Sequence, residues 1–400
     1  MKEQATTDGG APLRTLESLG VAAKRVERPT KESEAQQVLA KAFKEKLTVL
    51  PIGGATAISA GTLPERVDIV LDMTGLEGIA HFDISNLNMT VLAGTTLDGI
   101  NEFLAGQGNG FFLPLDPPFS ERATIGGVYA SNGSGPSRLR YGTVRDQILG
   151  VRGIDAQGGE VDFGGKTVKN VSGYDLTKFL IGSAGSLCLI TAAIMRVYPL
   201  PAASSICEVT FPAVGELEKF LQALRSSVLL PSGVTVEPVK GAFRVLSVFE
   251  GHPLAVEREN KDFLSMADTF GAKGEAKMGR EVMREAIRDA IEPEGDATMA
   301  IKVTVPLSEG PATLAGLKDL AGPAKTVLFA GNGVILVYGA DERIIDGAKR
   351  LAAHGYVAPI RLHRSLLSTW GPRVNPTLEQ FVLRPIKEKL DPSGVFPPIL

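Results

Sequence analysis

Pro51-Ile52-Gly53-Gly54-Ala55-Thr56-Ala57-Ile58-Ser59-Ala60-Gly61 lies between two short β-branched and apolar runs, Thr48 to Ile52 and Asp68 to Met73. The runs read as strands and the stretch between them as their connection. Small residues here let main-chain N–H groups turn inward and approach an anion with no Cβ in the way, and Thr56 and Ser59 add hydroxyl donors. Such a loop suits a pyrophosphate. A glycine-rich turn that only joins two strands would use the same residues, so the loop alone leaves both readings open.

Upstream, Thr30 is a candidate N-cap for a helix reaching Leu47, with Val38, Leu39, Ala42 and Phe43 at helical spacing. Downstream, Met89 to Ala93 is a further strand and Asp98 to Ala105 a short helix. The span from Gly106 to Gly142 is too rich in proline and glycine to be one regular element, and loops of that length usually carry function. Within it, Leu113 to Pro118 fixes a rigid approach. Thr124, Gly126 and Gly127 would supply donors and close backbone access, and the small residues from Ala130 to Pro136 leave room for a flat ring system.

Ile148 to Asp155 and Glu160 to Phe163 flank Ala156-Gln157-Gly158-Gly159, a hairpin signal. A third informative stretch runs from Lys169 to Leu187. In it Asp175 can cap a helix through Ile181, and a turn near Gly185 feeds the strand Leu187 to Val197. Read singly, this is a helix stop. Gly165-Lys166-Thr167 imitates the end of a nucleotide P-loop, but Glu160 stands where its first glycine belongs. Gly106, Gly108 and Gly110 imitate a dinucleotide fingerprint, yet Phe111-Phe112-Leu113-Pro114 cannot open the required helix.

Composition bounds the remaining choices. A 400-residue chain with 44% hydrophobic content can bury more than one core, and a net charge of −3 with mixed signs leaves no footprint for nucleic acid. Met1 to Gly10 lacks the apolar region of a signal peptide, and the longest apolar stretch, Leu187 to Met195, is too short to span a bilayer. The expectation is a cytoplasmic chain with no transmembrane segment, membrane-associated only through a complex. Cys188 and Cys207 are the two cysteines, and neither is assigned a redox role.

The three stretches in this order resemble the FAD-binding domain of the vanillyl-alcohol oxidase and p-cresol methylhydroxylase (PCMH) family over about Arg28 to Pro201. More narrowly, Asp116-Pro117-Pro118, Ser134-Gly135-Pro136, Val144-Arg145-Asp146 and Val168 to Leu176 look like the FAD-binding subunit of bacterial glycolate oxidase. Ala330 to Val334 and Leu390 to Pro397 are similar to that subunit's closing motifs. The resemblance implies that Ile52, Gly53, Gly54, Ala55 and Thr56 hold the pyrophosphate. It implies that Thr124, Gly126, Gly127, Ala130, Ser131 and Asn132 line the flavin side, and that Asp146, Gly185 and Ile190 contact the rest of FAD. Ala55, Ala184 and Cys188 depart from the family's usual residues, and the first loop has no histidine for a covalent flavin link.

The expected fold class is α+β. Residues 1–27 are read as an N-terminal segment, 28–201 as a two-subdomain PCMH-type FAD-binding domain, 202–362 as an α+β cap of two ferredoxin-like units sharing a sheet, and 363–400 as a C-terminal return segment. In the second half the histidines are His252, His354 and His363, without a paired metal-binding pattern, so no catalytic metal is expected. Arg361, His363 and Arg364 form a polar cluster, read in the first place as a solvated basic edge. The catalytic residues stay unassigned.

By resemblance, the chain is an FAD-carrying subunit of a complex oxidising a small 2-hydroxy acid such as glycolate or lactate. Its partners would be a catalytic FAD-binding subunit and an iron–sulfur subunit, with the acid handled at the partner. A self-sufficient FAD-dependent dehydrogenase and a structural subunit that has lost FAD are the alternatives.

Overall fold

The computed structural model describes residues 11–108, 110–165, 175–293, 299–321, 325–339, 341–368, 370 and 376–399. The expected motif from Val168 to Tyr174 therefore lies outside the described residues.

After α1 (Ala11–Ser18), the strands β1 (Ala22–Glu27), β2 (Val49–Ile52) and β3 (Arg66–Asp72) form a parallel sheet in the order β1-β3-β2. Between β1 and β2 runs α2 (Glu32–Glu45), one residue in from its cap Lys31; the Thr30 N–H and hydroxyl donate to Glu34 at 2.8 and 3.2 Å. Its apolar stripe of Ala35, Leu39 and Ala42 packs on Val49, Ile69 and Leu71, and also on Ile154 and Leu189 of the next sheet. One helix thus locks two sheets together.

That second sheet is antiparallel, in the order β4-β5-β9-β7-β8, from β4 (Ile79–Asp83), β5 (Asn88–Leu92), β7 (Ile148–Ile154), β8 (Glu160–Gly164) and β9 (Leu189–Arg196). Around it lie α3 (Leu97–Ala105), α4 (Ile125–Ser131), α5 (Arg138–Tyr141), α6 (Val144–Gln147) and α7 (Leu176–Phe179), and β6 (Phe111–Phe112) pairs with β10 (Tyr198–Pro199). The punctuated Gly106 to Gly142 span contains a helix that propensity hides. Thr124 caps α4, accepting from Gly127 N at 3.3 Å. A Cβ at Gly126 would stand 2.8 Å from the Ala93 Cβ, so a glycine is what lets this helix lie against β5's end.

The second half repeats one pattern. Strands β11 (Ala203–Phe211), β12 (Gly233–Val239), β13 (Ala242–Gly251) and β14 (Lys273–Met278) alternate with α8 (Val214–Arg225) and α9 (Pro253–Thr269). After α10 (Arg280–Ile291), β15 (Ala300–Thr304), β16 (Thr326–Phe329), β17 (Val334–Tyr338) and β18 (Tyr356–Arg361) alternate with α11 (Gly310–Ala321) and α12 (Glu342–Leu351). All eight strands share one sheet, β14-β11-β13-β12-β16-β17-β15-β18, in which each βαββαβ unit has the ferredoxin-like order and β12 meets β16. The strand β14 escapes the sequence reading because it is a solvated edge of Lys and Glu, the composition that keeps an edge from pairing with another chain. The chain ends through α13 (Arg364–Ser368), α14 (Pro376–Leu378) and α15 (Arg384–Leu390), and returns Val395 and Phe396 to the core beneath α2.

Candidate functional site

The three glycine turns meet. A Cβ on Gly53 would fall 2.2 Å from Thr124 Oγ1, and one on Gly54 would fall 1.7 Å from the Arg122 carbonyl oxygen. Gly61 backs onto Ala184 in the same way, at 2.7 Å from its Cβ, and Gly185 faces Pro51 at 3.7 Å. Main-chain bonds join the second and third turns: Ala184 N donates to Ala130 O at 2.8 Å and Gly182 N to Tyr129 O at 3.2 Å. These approaches need residues without side-chain bulk, which is why the sequence there is glycine and alanine.

Between the turns runs a cleft of about 760 Å³, including its open mouth. Ile52, Gly53, Gly54, Ala55, Thr56, Thr124, Gly126, Gly127, Ala130, Ser131, Gly185 and Ile190 all line it. Met73, Ala93, Ala184, Cys188 and Leu189 also line it, with the rest of the first loop. The Met73 and Ala93 positions, each just past a strand end, carry no local sequence signal. Asn132 lines an adjoining cavity instead. Asp146 lines neither: its carboxylate accepts from Thr143 N at 2.8 Å and from the Thr143 hydroxyl at 3.1 Å, in a capping box at the start of α6.

Donor supply differs from the sequence expectation. The N–H groups around Thr124 are spent inside the protein, Ile125 N on Thr95 O, Gly126 N on Ala93 O and Gly127 N on the Thr124 hydroxyl. Ser59 is buried and its hydroxyl exchanges hydrogen bonds with the main chain of Leu362, at 2.9 and 3.2 Å. The first loop holds the available donors. The N–H groups of Gly54, Ala55 and Thr56 and the Thr56 hydroxyl have no acceptor among the described residues. Main-chain donors are nearly always paired once water is excluded, so unpaired donors on the wall of a cleft fit an anionic ligand.

Ala55 sits at φ 56° and Ala184 at φ 51°, the left-handed region that glycine enters without penalty. Each carries a strain of about 1–2 kcal/mol that the contacts around it hold in place. Cys188 turns its thiol to the Ile154 carbonyl at 3.3 Å, and burial pushes the thiol up to about 12. It is an apolar wall element here.

The adjoining cavity, about 1290 Å³ with its mouth, shares Thr56, Ala57, Ala60 and Ser131 with the cleft, so a ligand in one touches the wall of the other. Its far wall is the face of β15, β17 and β18 that carries Lys302, Leu336 and Ala358, and its rim includes Arg138. Arg361 lines it too and is only 6% exposed, so the basic cluster divides: Arg361 goes inside, while His363 and Arg364 stay at the surface, Arg364 pairing with Glu65 at 3.1 Å. Lys302 was missed by sequence reading; its signal is a lone lysine in the alternating run Ala300-Ile301-Lys302-Val303-Thr304.

His252 accepts from Leu254 N at the cap of α9, and His354 meets Glu309 at 2.9 Å. Among the described residues no group of three His, Cys, Asp or Glu could hold a metal ion, and no helix is long and apolar enough to cross a membrane.

Comparison with known proteins matches residues 23–164 to the FAD binding domain family. The glycolate oxidase subunit GlcE of Escherichia coli is 42% identical over 135 residues, 34% of this chain and 38% of that protein. The glycolate oxidase subunit GlcD of Bacillus subtilis is 35% identical over 174 residues, 43% of this chain and 36% of that protein. The chain thus matches well under half the length of these curated relatives. In fold, the xylooligosaccharide oxidase of Myceliophthora thermophila aligns with a TM-score of 0.71 at 15% identity, over 98% of this chain and 94% of that one.

Proposed function

We propose, from the premise that residues 23–164 form an FAD-binding domain of the PCMH type, that the chain holds one FAD without a covalent link and serves the oxidation of a small 2-hydroxy acid. It does so as a subunit of a complex, beside a catalytic flavoprotein subunit and an iron–sulfur subunit. The observation that carries this is the convergence of three glycine turns on one cleft whose first loop offers unpaired main-chain donors.

Those residues fit the cofactor. Gly54, Ala55 and Thr56 would take the pyrophosphate, with Ile52 and Gly53 packed behind them. Thr124, Gly126, Gly127, Ala130, Ser131 and Gly185 would leave room for the flat ring, and Ile190 would give it an apolar support. Asn132 would act from the adjoining cavity. Asp146 would act at a distance, by fixing the start of β7 through its capping box. When bound, FAD supplies the hydride acceptor of the reaction.

The similarity to GlcE supports a subunit rather than a self-sufficient enzyme, as does the lining of the adjoining cavity, which among the described residues includes no histidine or carboxylate to take a hydroxyl proton. In the test, the isolated chain is reconstituted with FAD and given glycolate or D-lactate without oxygen. It should stay yellow until the catalytic subunit is added. Bleaching by the acid alone would replace this reading with a self-sufficient dehydrogenase, and a chain that stays colourless with FAD would overturn it.

A further inference from the structure

We propose that the cavity between α4 and the eight-stranded sheet binds a carboxylate with an aliphatic tail, a longer 2-hydroxy acid than glycolate or lactate. The inference rests on the reading above only in naming the ligand a hydroxy acid; the anion site and its apolar wall stand on their own geometry.

Lys302 lies in the middle of β15, paired across the sheet with Leu336 on one side and Ala358 on the other. All three line the cavity, as do Val334 and Ile360 on the same strands, so the ammonium rises from an apolar wall. It is half-buried and makes no ion pair or side-chain hydrogen bond to any described residue. Arg138 at the rim and the buried Arg361 add two further cations, and no Asp or Glu is among the described lining residues. Half-buried charges are ordinarily paired or turned to water, and an ammonium with no described partner, in a cavity whose other charged lining residues are arginines, favours an anion there.

The same walls select against a small one. A two- or three-carbon acid at Lys302 would leave the surfaces of Leu336, Val334 and Ile360 wet. Each methylene that covers them tightens binding about fourfold.

Calorimetric titration of the full chain, with and without FAD, against glycolate, 2-hydroxybutyrate, 2-hydroxyhexanoate and 2-hydroxyoctanoate reads this directly. The expected result is an affinity that climbs about fourfold per methylene until the wall is covered. Lys302→Met keeps the stem and removes the charge, and should weaken every acid tenfold or more while the chain-length slope survives. Ala358→Glu places a carboxylate beside Lys302 at a partly exposed site and should abolish binding with the fold intact by circular dichroism.

Equal affinity along the series, or unchanged binding in both variants, overturns the proposal. A colourless chain that still shows the slope sinks the FAD reading and keeps this one, and a yellow chain with a flat series does the reverse.

Discussion

The contact between Gly53 and Thr124 is the joint on which the cleft depends, and a double-mutant cycle measures it. A Cβ at Gly53 would lie 2.2 Å from Thr124 Oγ1 and 3.3 Å from Thr124 Cβ. Gly53→Ala must therefore push the first and second loops apart by roughly an ångström, an overpacking cost of about 1–3 kcal/mol. Thr124→Ala removes the obstructing oxygen together with the cap of α4, whose hydrogen bond to Gly127 N is long at 3.3 Å, for about 0.5–1 kcal/mol. In the double variant the nearest atom is the Cβ at 3.3 Å, a tight but tolerable approach. The pair should then cost about 1–2 kcal/mol less than the sum of the singles. Thermal melts of the FAD-free chain give the stability cycle, and quenching of FAD fluorescence gives the binding cycle. Gly53→Ala alone should weaken FAD at least tenfold, and Thr124→Ala should restore most of that loss. Gly54→Ala is the control, because it meets the Arg122 backbone and no substitution at Arg122 can relieve it. Singles that add within about 0.5 kcal/mol in both cycles would mean that the two loops do not touch in solution, and the argument for the cleft would fail.

The ion pair of half-buried Lys387 with buried Asp391, at 2.6 Å, gives a second test. Asp391→Ala leaves the ammonium with only the Ser186 and Phe396 carbonyls and strands the N–H groups of Val395 and Phe396, and should cost about 1–3 kcal/mol in the thermal melt for each donor left unpaired; an unchanged melt would refute the role given to the pair. Burial raises Asp116 from 3.8 to about 6, against the opposing hydrogen bond from Ser137 N. A raised carboxyl favours the neutral form in the fold, so its contribution is fully present below about pH 4 and is lost as pH rises through about 6. Asp116→Asn should flatten stability across that window, and a wild-type profile already flat there would contradict the shift. Cys188 and Cys207, each pushed up to about 12 by burial, should resist alkylation at neutral pH in the folded chain and react once urea unfolds it; labelling of the native protein would place a thiol outside the core.

Much of the fold was legible because its strands are β-branched runs bounded by glycine and proline, and because each ferredoxin-like unit repeats strand, helix, strand, strand, helix, strand. The exceptions have local causes. Helix α4 hides behind Gly126, which packs closely on Ala93, and Gly127, which lies beside the Thr124 hydroxyl, both at the expense of helix propensity. Strand β14 hides behind its edge charges. In the site, the first loop was readable because its chemistry is local to eleven consecutive residues. Asp146 was carried over from a motif, yet its carboxylate is consumed by the capping box two residues before β7. Lys302 is marked in the sequence only as a lone lysine in an alternating strand, and it takes the pairing of β15 with β17 and β18, and the cavity between that sheet and α4, to give it a space to face.

The chain's last described residues explain why a closing motif so far from the glycine turns belongs with them. Leu390-Asp391-Pro392-Ser393-Gly394-Val395-Phe396 folds around the Asp391 carboxylate, which accepts from Val395 N and Phe396 N at 2.8 Å each, with Gly394 at φ 65° making the turn. Val395 and Phe396 then fill the core under α2, and Val395 O accepts from Val49 N at 2.7 Å, at the start of the strand that feeds the first loop. Lys387 reaches from the same brace to the Ser186 carbonyl at 2.7 Å, one residue past the Gly185 turn. The two turns, which meet at the cleft, are therefore tied to one ion pair with a buried carboxylate. Loss of that pair should loosen the cleft as well as the core, which separates a brace from a passive tail: Asp391→Ala should lower FAD affinity more than a stability-matched substitution on the exposed face of α9.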